Sequence, residues 1–451
     1  MSEHNAMQTY LETVAAQIRW KRARTIILPE LAQHLEDQRD AFRSEGLDNA
    51  EQRAVEEMGD PVSVGMELDR LYRPKPQWGM ISLTILFALV GTMLRVWLTK
   101  EFEHPFPLYR TLCSLVLGCS ALLLGYFSDF TRLGRHGRKL YFLTLVLSAL
   151  VLSVSPIRNG VSRYTCYVTL VYPMVYAFWL YTWRQKGWRG AVCSVLGGIP
   201  LGLFCLLTPY LFGLFLLCIT GLVLTASAAW NDWFGIGKRN ASLCVTSCAL
   251  LTGSAALWCG MSSGYYVQRL ITAFHPEQDP FGCGYRALTI REVLGTSQWI
   301  GAGSWNRDGV LPALEKTLPE YDSDAFLTTL VYKLGWLPFL LVLSAFMVLV
   351  AWLLFRCFKQ KSYLGKWVVS SVLIMLSLQA CCSIIWNFGY TLFNTAFPLI
   401  IGNLNTVINM GLIGLALSVF RSESVFRDFV YEPQPLLSRY CVRVMVQKIS
   451  R

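Results

Sequence analysis

The chain has 451 residues, of which 54% are hydrophobic and only 15% charged, with a formal net charge of +11. A soluble domain of this size needs more charge at its surface, and the apolar residues gather into long runs of the kind a bilayer requires. The basic excess therefore reads as the bias of cytoplasmic loops and not as a nucleic-acid footprint. The 14 cysteines are scattered without a C-x-x-C pair, and the five histidines show no metal-ligand spacing.

Residues 1–76 differ from everything after them, being rich in Glu, Arg, Gln and Asp with apolar residues at helical spacing. Leu11, Val14 and Ile18 form one stripe. Pro29 is expected to open a second helix carrying Leu31, Leu35 and Phe42. Asp48 with Glu51 reads as a capping box for a third helix with Val55 and Met58. Gly59 ends that helix, and Asp60-Pro61 starts a fourth with Val64, Leu68 and Leu71. A compact cytoplasmic helical bundle follows from this pattern, with Arg73-Pro74-Lys75-Pro76 as a stiff connection. It most simply docks a partner or the membrane surface. No apolar stretch precedes a small-residue cleavage site, so the first spanning helix is expected to serve as the insertion signal.

Ten apolar segments are expected to cross the bilayer, at about 79–98, 112–127, 140–155, 166–183, 191–207, 210–230, 243–261, 326–355, 367–385 and 399–420. Alternate loops carry the basic residues: Arg132, Arg135, Arg138 and Lys139; Arg184, Lys186 and Arg189; Lys238 and Arg239; Arg356, Lys359, Lys361 and Lys366. The positive-inside rule puts these loops, the 1–76 bundle and a 426–451 tail on the cytoplasmic side. The fold class is then all-α: a polytopic membrane domain over 77–425 behind a small helical head. One long loop, residues 262–325, faces outside, and loops of that length in compact proteins usually carry function. Arg95, near the outer end of the first span, is expected to snorkel to the interface.

The long loop holds Tyr266, Arg269, His275-Pro276-Glu277-Gln278-Asp279-Pro280-Phe281-Gly282-Cys283-Gly284-Tyr285, and later Pro319-Glu320-Tyr321-Asp322-Ser323-Asp324 directly before the eighth span. A carboxylate there can act as general base on a sugar hydroxyl, its pKa raised by partial burial and like-charge neighbours. Acids at a helix N-terminus are also favoured simply as caps, and capping is the commoner role. Spacing leaves both roles open.

These motifs resemble those of the SEDS proteins (shape, elongation, division and sporulation), the RodA, FtsW and SpoVE group. The likeness rests on the Tyr and Arg followed by the Pro-x-x-Asp-Pro-x-Gly-x-Gly-Tyr run, and on Pro-Glu-x-x-Ser-Asp followed by Leu334-Gly335. Weaker echoes are Asn159-Gly160-x-x-Arg163-Tyr164, Pro173, Pro209, and Pro398 with Gly402 and Asn409; the resemblance covers about residues 80–420. It implies a peptidoglycan glycosyltransferase that polymerises lipid II at the outer face of the bacterial plasma membrane, working with a class B penicillin-binding protein. The family's essential aspartate maps onto Asp324, which would deprotonate the acceptor 4-hydroxyl for inverting attack on the donor's anomeric carbon. The polyprenyl pyrophosphate leaving group calls for cations or a divalent metal. Arg269, inside the matched signature, leads the candidates Arg286, Arg291, Arg307 and Lys316; Glu320, Asp279 and Lys333 are further substrate-binding candidates.

The chain also departs from the family. The family's Pro-Ser-Glu run, with a lysine three residues after the Glu, is here Pro173, Met174, Val175 and Phe178. Its Gln-Pro-Asp-Leu-Gly is Thr208-Pro209-Tyr210-Leu211-Phe212, the lysine of its Gly-Lys-Gly loop is Ala302, and its Gly-Gly-Ser-Ser is Gly402-Asn403-Leu404-Asn405. Lys333 is a new intramembrane charge, expected to stand in for the lost lysine. Two other functions stay open on these residues: a non-catalytic scaffold regulating a cell-wall synthase, and a transporter of lipid-linked precursors.

Overall fold

The computed structural model describes residues 4–46, 49–100, 108–158, 161–162, 164–262, 264–305, 314–422 and 428. Asp48 of the expected capping box, Asn159, Gly160, Arg163, Arg307 and most of the 426–451 tail lie outside them. The chain divides into two compact units: residues 1–76 with the described residues from Phe420 onward, and Gln77–Val419.

The first unit contains α1 (His4–Gln17), α2 (Lys21–Ser44), α3 (Ala50–Met58) and α4 (Pro61–Tyr72) around a core of Val14, Ile18, Ile27, Leu35, Ala54 and Leu68. Pro29 does not open the second helix; α2 begins at Lys21 and runs through it. A proline inside a helix forfeits one hydrogen bond and crowds the preceding turn. Here Ala23, Ile27, Leu31 and Leu35 are buried at every fourth position on both sides of Pro29, and their shared packing carries the helix across it. Gly59 closes α3 with φ +86°, and Asp60 accepts the Ser63 amide at 2.8 Å to start α4. Leu71 is 46% exposed, because the buried stripe of α4 continues from Val64 and Leu68 to Tyr72 instead.

The second unit starts with α5 (Trp78–Thr99), α6 (Leu108–Phe127), α7 (Phe130–Arg135) and α8 (Gly137–Val154). A two-residue antiparallel pair, β1 (Ile157–Arg158) with β2 (Val161–Ser162), leads to α9 (Thr165–Thr169) and α10 (Tyr172–Tyr181). Next come α11 (Gly187–Leu196), α12 (Gly198–Leu207), α13 (Leu211–Trp230) and α14 (Lys238–Met261). The long loop carries α15 (Gly264–Phe274), a 3-10 turn (Pro276–Gln278), α16 (Tyr285–Gly295) and α17 (Leu314–Thr317). The chain then forms α18 (Phe326–Leu334), α19 (Trp336–Lys359), α20 (Tyr363–Asn387) and α21 (Leu404–Arg421).

Among the described residues eight helical segments are long and apolar enough to cross a bilayer: α5, α6, α8, α11 with α12, α13, α19, α20 and α21. Their outward faces expose large apolar side chains, with Leu124 at 70% and Val154 at 79%, a surface suited to lipid and not to water. The chain is thus an almost wholly helical, multi-pass membrane protein. The expected 166–183 span is realised as the short, buried α9 and α10, with Pro173 in the first turn of α10. The 24-residue α14 has the length to cross but is more polar, with Asn240, Ser242, Thr246, Ser247 and Thr252 along it. The expected 326–355 span is interrupted at Gly335, where φ is +99°. At this break the backbone is sewn into the long loop: Gly301 and Gly303 donate to the carbonyls of Leu334 and Tyr332, while Trp336 and Leu337 donate to those of Gln298 and Trp299.

Helices in lipid gain little from expelling water, so close backbone approach and interhelical hydrogen bonds hold them together. α6 and α21 meet glycine to backbone. A Cβ on Gly125 would lie 2.5 Å from the Gly411 carbonyl oxygen, and one on Gly414 would lie 2.1 Å from that of Leu122. Between α20 and α21, Gln379 donates to Asn405 Oδ1 at 2.8 Å and accepts from Asn409 at 3.0 Å, all three side chains being buried. Gly414→Val is expected to force α6 and α21 apart and lower stability by about 1–3 kcal/mol, measured by thermal unfolding of the purified protein in detergent.

Candidate active site

The long loop folds on a core of its own. Ile290 and Val293 of α16, Trp305, Leu314 of α17, Leu318 and Ala325 close over Trp386 near the C-terminal end of α20. This core fixes the turn that enters α18. Within that turn Glu320 takes a left-handed conformation, φ +61°, at a cost of roughly 1–2 kcal/mol. Its carbonyl accepts the amides of Ser323 and Ala325, both at 3.0 Å, which holds the reversal in place.

The geometry separates the two roles that spacing left open. A helix N-terminus presents amides without partners, and the residue just ahead of it commonly supplies a cap. Ala325 holds that position in α18 and offers no side-chain acceptor. The acceptor comes from α20: Asn387 Oδ1 takes the Thr328 amide at 2.9 Å and the Thr328 hydroxyl at 2.8 Å. Asn387 Nδ2 donates to the Asp324 carbonyl at 2.9 Å. The Asp324 carboxyl is therefore left free of capping.

Each acid of the turn has a different partner. Glu320 pairs with Arg286 of α16 at 3.3 Å, and the Arg286 guanidinium lies 5.6 Å from the centre of the Trp386 ring. Asp322 pairs with Arg95 of α5 at 2.8 Å. Arg95 is 3% exposed, so it does not snorkel as its place in the sequence suggests; an acid from a distant loop reaches in to meet it. Asp324 faces Glu320 and the Asn394 side chain. Burial pushes its carboxyl up to about 7, helped by the negative charge and hydrogen bond of Glu320, while the Asn394 hydrogen bond and Arg286 pull the other way. Near neutrality such a group holds and releases a proton with equal ease. Asn394 Oδ1 is buried and makes no hydrogen bond among the described residues, which leaves an acceptor beside the carboxyl.

The other candidates lie elsewhere. Asp279 Oδ2 takes the Cys283 amide at 2.8 Å, and its carbonyl takes that of Gly284 at 3.0 Å. A Cβ on Gly284 would sit 2.0 Å from the Pro276 carbonyl oxygen. The Asp-Pro-x-Gly-x-Gly run therefore builds the turn that launches α16 and so aims Arg286. Arg269 is half-buried on α15, and Tyr266 one turn earlier donates to the Leu206 carbonyl at 3.0 Å. A cleft of about 440 Å³ opens beside α15, lined by Ser262, Gln268, Thr272, Gln278 and Asp279 among others. Lys333, half-buried at the end of α18, donates to the Leu98 carbonyl at 3.1 Å. Arg291 donates to the Gly389 carbonyl at 3.3 Å. Among the described residues no three His, Cys, Asp or Glu side chains are grouped to hold a metal ion.

Asn387, Asn394 and the Arg95–Asp322 pair are missing from the sequence reading. Their one signal is an amide or a charge at the end of an otherwise apolar segment. Asn387→Leu should strip the Thr328 amide and the Asp324 carbonyl of their partner and cost about 2–4 kcal/mol, read as a fall in thermal midpoint.

A family model described as "Cell cycle protein", covering FtsW, RodA and SpoVE, matches residues 190–424, just over half of the chain. Among curated proteins, one named "Probable peptidoglycan glycosyltransferase FtsW" from Xanthomonas oryzae pv. oryzae is 23% identical over 74% of this chain and 69% of its own length. Another of that name from Idiomarina loihiensis is 32% identical over a stretch spanning only 27% of this chain and 29% of that relative. The "Peptidoglycan glycosyltransferase MrdB" of Escherichia coli K12 is 27% identical over 27% of this chain and 32% of its own. The fold is similar to a chain from a structure titled "Structural coordination of polymerization and crosslinking by a peptidoglycan synthase complex", with a TM-score of 0.56, 20% identity, and 77% of this chain and 98% of that one covered. The rod shape determining protein RodA of Thermus thermophilus is similar at a TM-score of 0.50 and 16% identity, with 78% of this chain and 98% of that one covered.

Proposed function

This chain belongs to the FtsW/RodA/SpoVE family of cell cycle proteins, and from that premise we propose that it is a peptidoglycan glycosyltransferase extending glycan strands from lipid II. The observation that carries the reading is the Asp324 carboxyl, relieved of capping by Asn387 and raised to about 7. Asp324 takes the proton of the acceptor sugar's 4-hydroxyl. The resulting oxygen attacks the donor's anomeric carbon, the bond to the pyrophosphate breaks with inversion, and polyprenyl pyrophosphate departs with the electron pair. Asn394, whose side chain hydrogen-bonds the Asp324 carboxyl, steadies the base. Arg286, oriented by Glu320, is the cation at the turn for the leaving phosphates, and Arg269 of α15 is the further candidate that the family signature implies.

The protein lies in the bacterial plasma membrane with residues 262–325 outside and both termini in the cytoplasm, which supports lipid II as substrate at the outer face. Its partner is a class B penicillin-binding protein, which cross-links the strands it makes. A second reading, a non-catalytic scaffold for such a synthase, draws on Val175 and Phe178. Both are fully buried apolar side chains where relatives are expected to carry Glu and Lys.

The deciding assay is lipid II polymerisation by purified protein, with and without its partner. Asp324→Ala is expected to lower the rate by about 10²- to 10⁴-fold; equal product from both proteins would eliminate the base, and no product from either favours the scaffold. A base must be ionised, so the wild-type rate should rise with pH through about 7 and fall away on the acid side. Glu320→Gln removes the neighbouring charge that helps raise Asp324, so the acid limb of the pH–rate profile is expected to move to lower pH.

A further inference from the structure

The C-terminal end of α5 reaches this site at two points that the proposed chemistry does not use. Arg95 Nη2 donates to Asp322 Oδ2 at 2.8 Å, and Nη1 donates to the carbonyl of Ile401 ahead of α21. Three residues later on the same helix, the Leu98 carbonyl accepts from Lys333 Nζ at 3.1 Å. Asp322 lies two residues before Asp324, and Lys333 lies at the far end of α18. The two ties therefore straddle the turn and helix that carry the carboxyl. A guanidinium this deeply buried is strongly unfavourable without its acid, and its planar fork accepts only a narrow range of partner positions. Such a pair sets a position and not merely an attraction.

We propose that α5 is a positioning strut for the base: the Arg95–Asp322 ion pair fixes the 320–324 turn, and with it the Asp324 carboxyl, against α5 and the segment leading into α21. Arg95 is a positioning residue acting through Asp322, and it touches no substrate. The strut presupposes the glycosyltransferase reading for its effect on rate, but not for its effect on the turn.

The full-length protein in lipid nanodiscs is tested by lipid II polymerisation and by hydrogen exchange. Arg95→Met is expected to lower kcat by roughly 10- to 100-fold while KM stays within about twofold, as for a misplaced catalytic group. Arg95→Lys should recover part of that loss. Asp322→Asn should match Arg95→Met, and the double variant should lose no more than either single one, because both remove the same tie. The amides of Ser323 and Ala325 should exchange roughly tenfold faster in Arg95→Met, with those in the middle of α20 unchanged. Should Arg95→Met loosen the whole unit, Asp322→Asn carries the same comparison. Normal kcat with unchanged exchange at 323 and 325 overturns the strut, and so do losses that simply multiply in the double variant. An inactive wild type refutes the glycosyltransferase reading alone, and the exchange result then decides whether the pair fixes the turn.

Discussion

One buried amide holds the site together. Asn387 sits at the last position of α20, accepts the Thr328 amide and hydroxyl, and donates to the Asp324 carbonyl and to the Ser383 carbonyl one turn back. The start of a helix needs an acceptor, and the nearest acid in sequence would ordinarily serve. Because a side chain from another helix does this work, the acid of the turn keeps its carboxyl for other chemistry. Burial can then raise that carboxyl towards neutrality, which an occupied cap would prevent by stabilising the charged form. The chemistry proposed for Asp324 thus depends on the register between α20 and α18.

Two kinds of packing fix that register. Within the membrane unit, glycine crossings between α6 and α21 and the Gln379–Asn405–Asn409 amides hold helices at close range. The loop has its own apolar core, anchored on Trp386, immediately before Asn387. Trp386 and Asn387 are thus neighbours with complementary parts: one supports the loop by burial, the other aligns its turn by hydrogen bonds. The amide network also bears on the apolar replacements seen in the sequence. Val175 and Phe178 are buried and apolar where the family resemblance leads one to expect charges, yet the interior keeps polar groups where helix pairing uses them.

Much of this was legible in the sequence. Long apolar runs announced the membrane helices, and the Pro319–Asp324 run announced an acidic turn before a helix. The Asp-Pro-x-Gly-x-Gly run was legible as a family signature, though not as the device that aims Arg286. Which acid does what was beyond reach, because the partners are remote. Glu320 meets Arg286 34 residues away, Asn387 meets Asp324 63 away, and Asp322 meets Arg95 227 away. The pairing of Arg95 is hidden for the same reason: near a helix end, water is the nearest visible partner for a cation, and a loop acid is not. Pro29 misled in another way, since a local helix breaker was outweighed by a buried stripe running past it on both sides.

The break at Gly335 bears on how this protein meets its bilayer. A Cβ there would lie 2.6 Å from the Trp299 carbonyl oxygen, so the joint admits only glycine without local displacement. On one side α19 is a 24-residue helix, long and apolar enough to cross the membrane. On the other side α18 is laced by backbone hydrogen bonds to residues 301 and 303. The start of α19 is held by the same loop, since Trp336 and Leu337 donate to the carbonyls of Gln298 and Trp299. The interrupted helix is a clamp: the loop grips the end of α18 and the start of α19 together, so the turn that bears Asp324 is tied to a membrane helix through backbone alone.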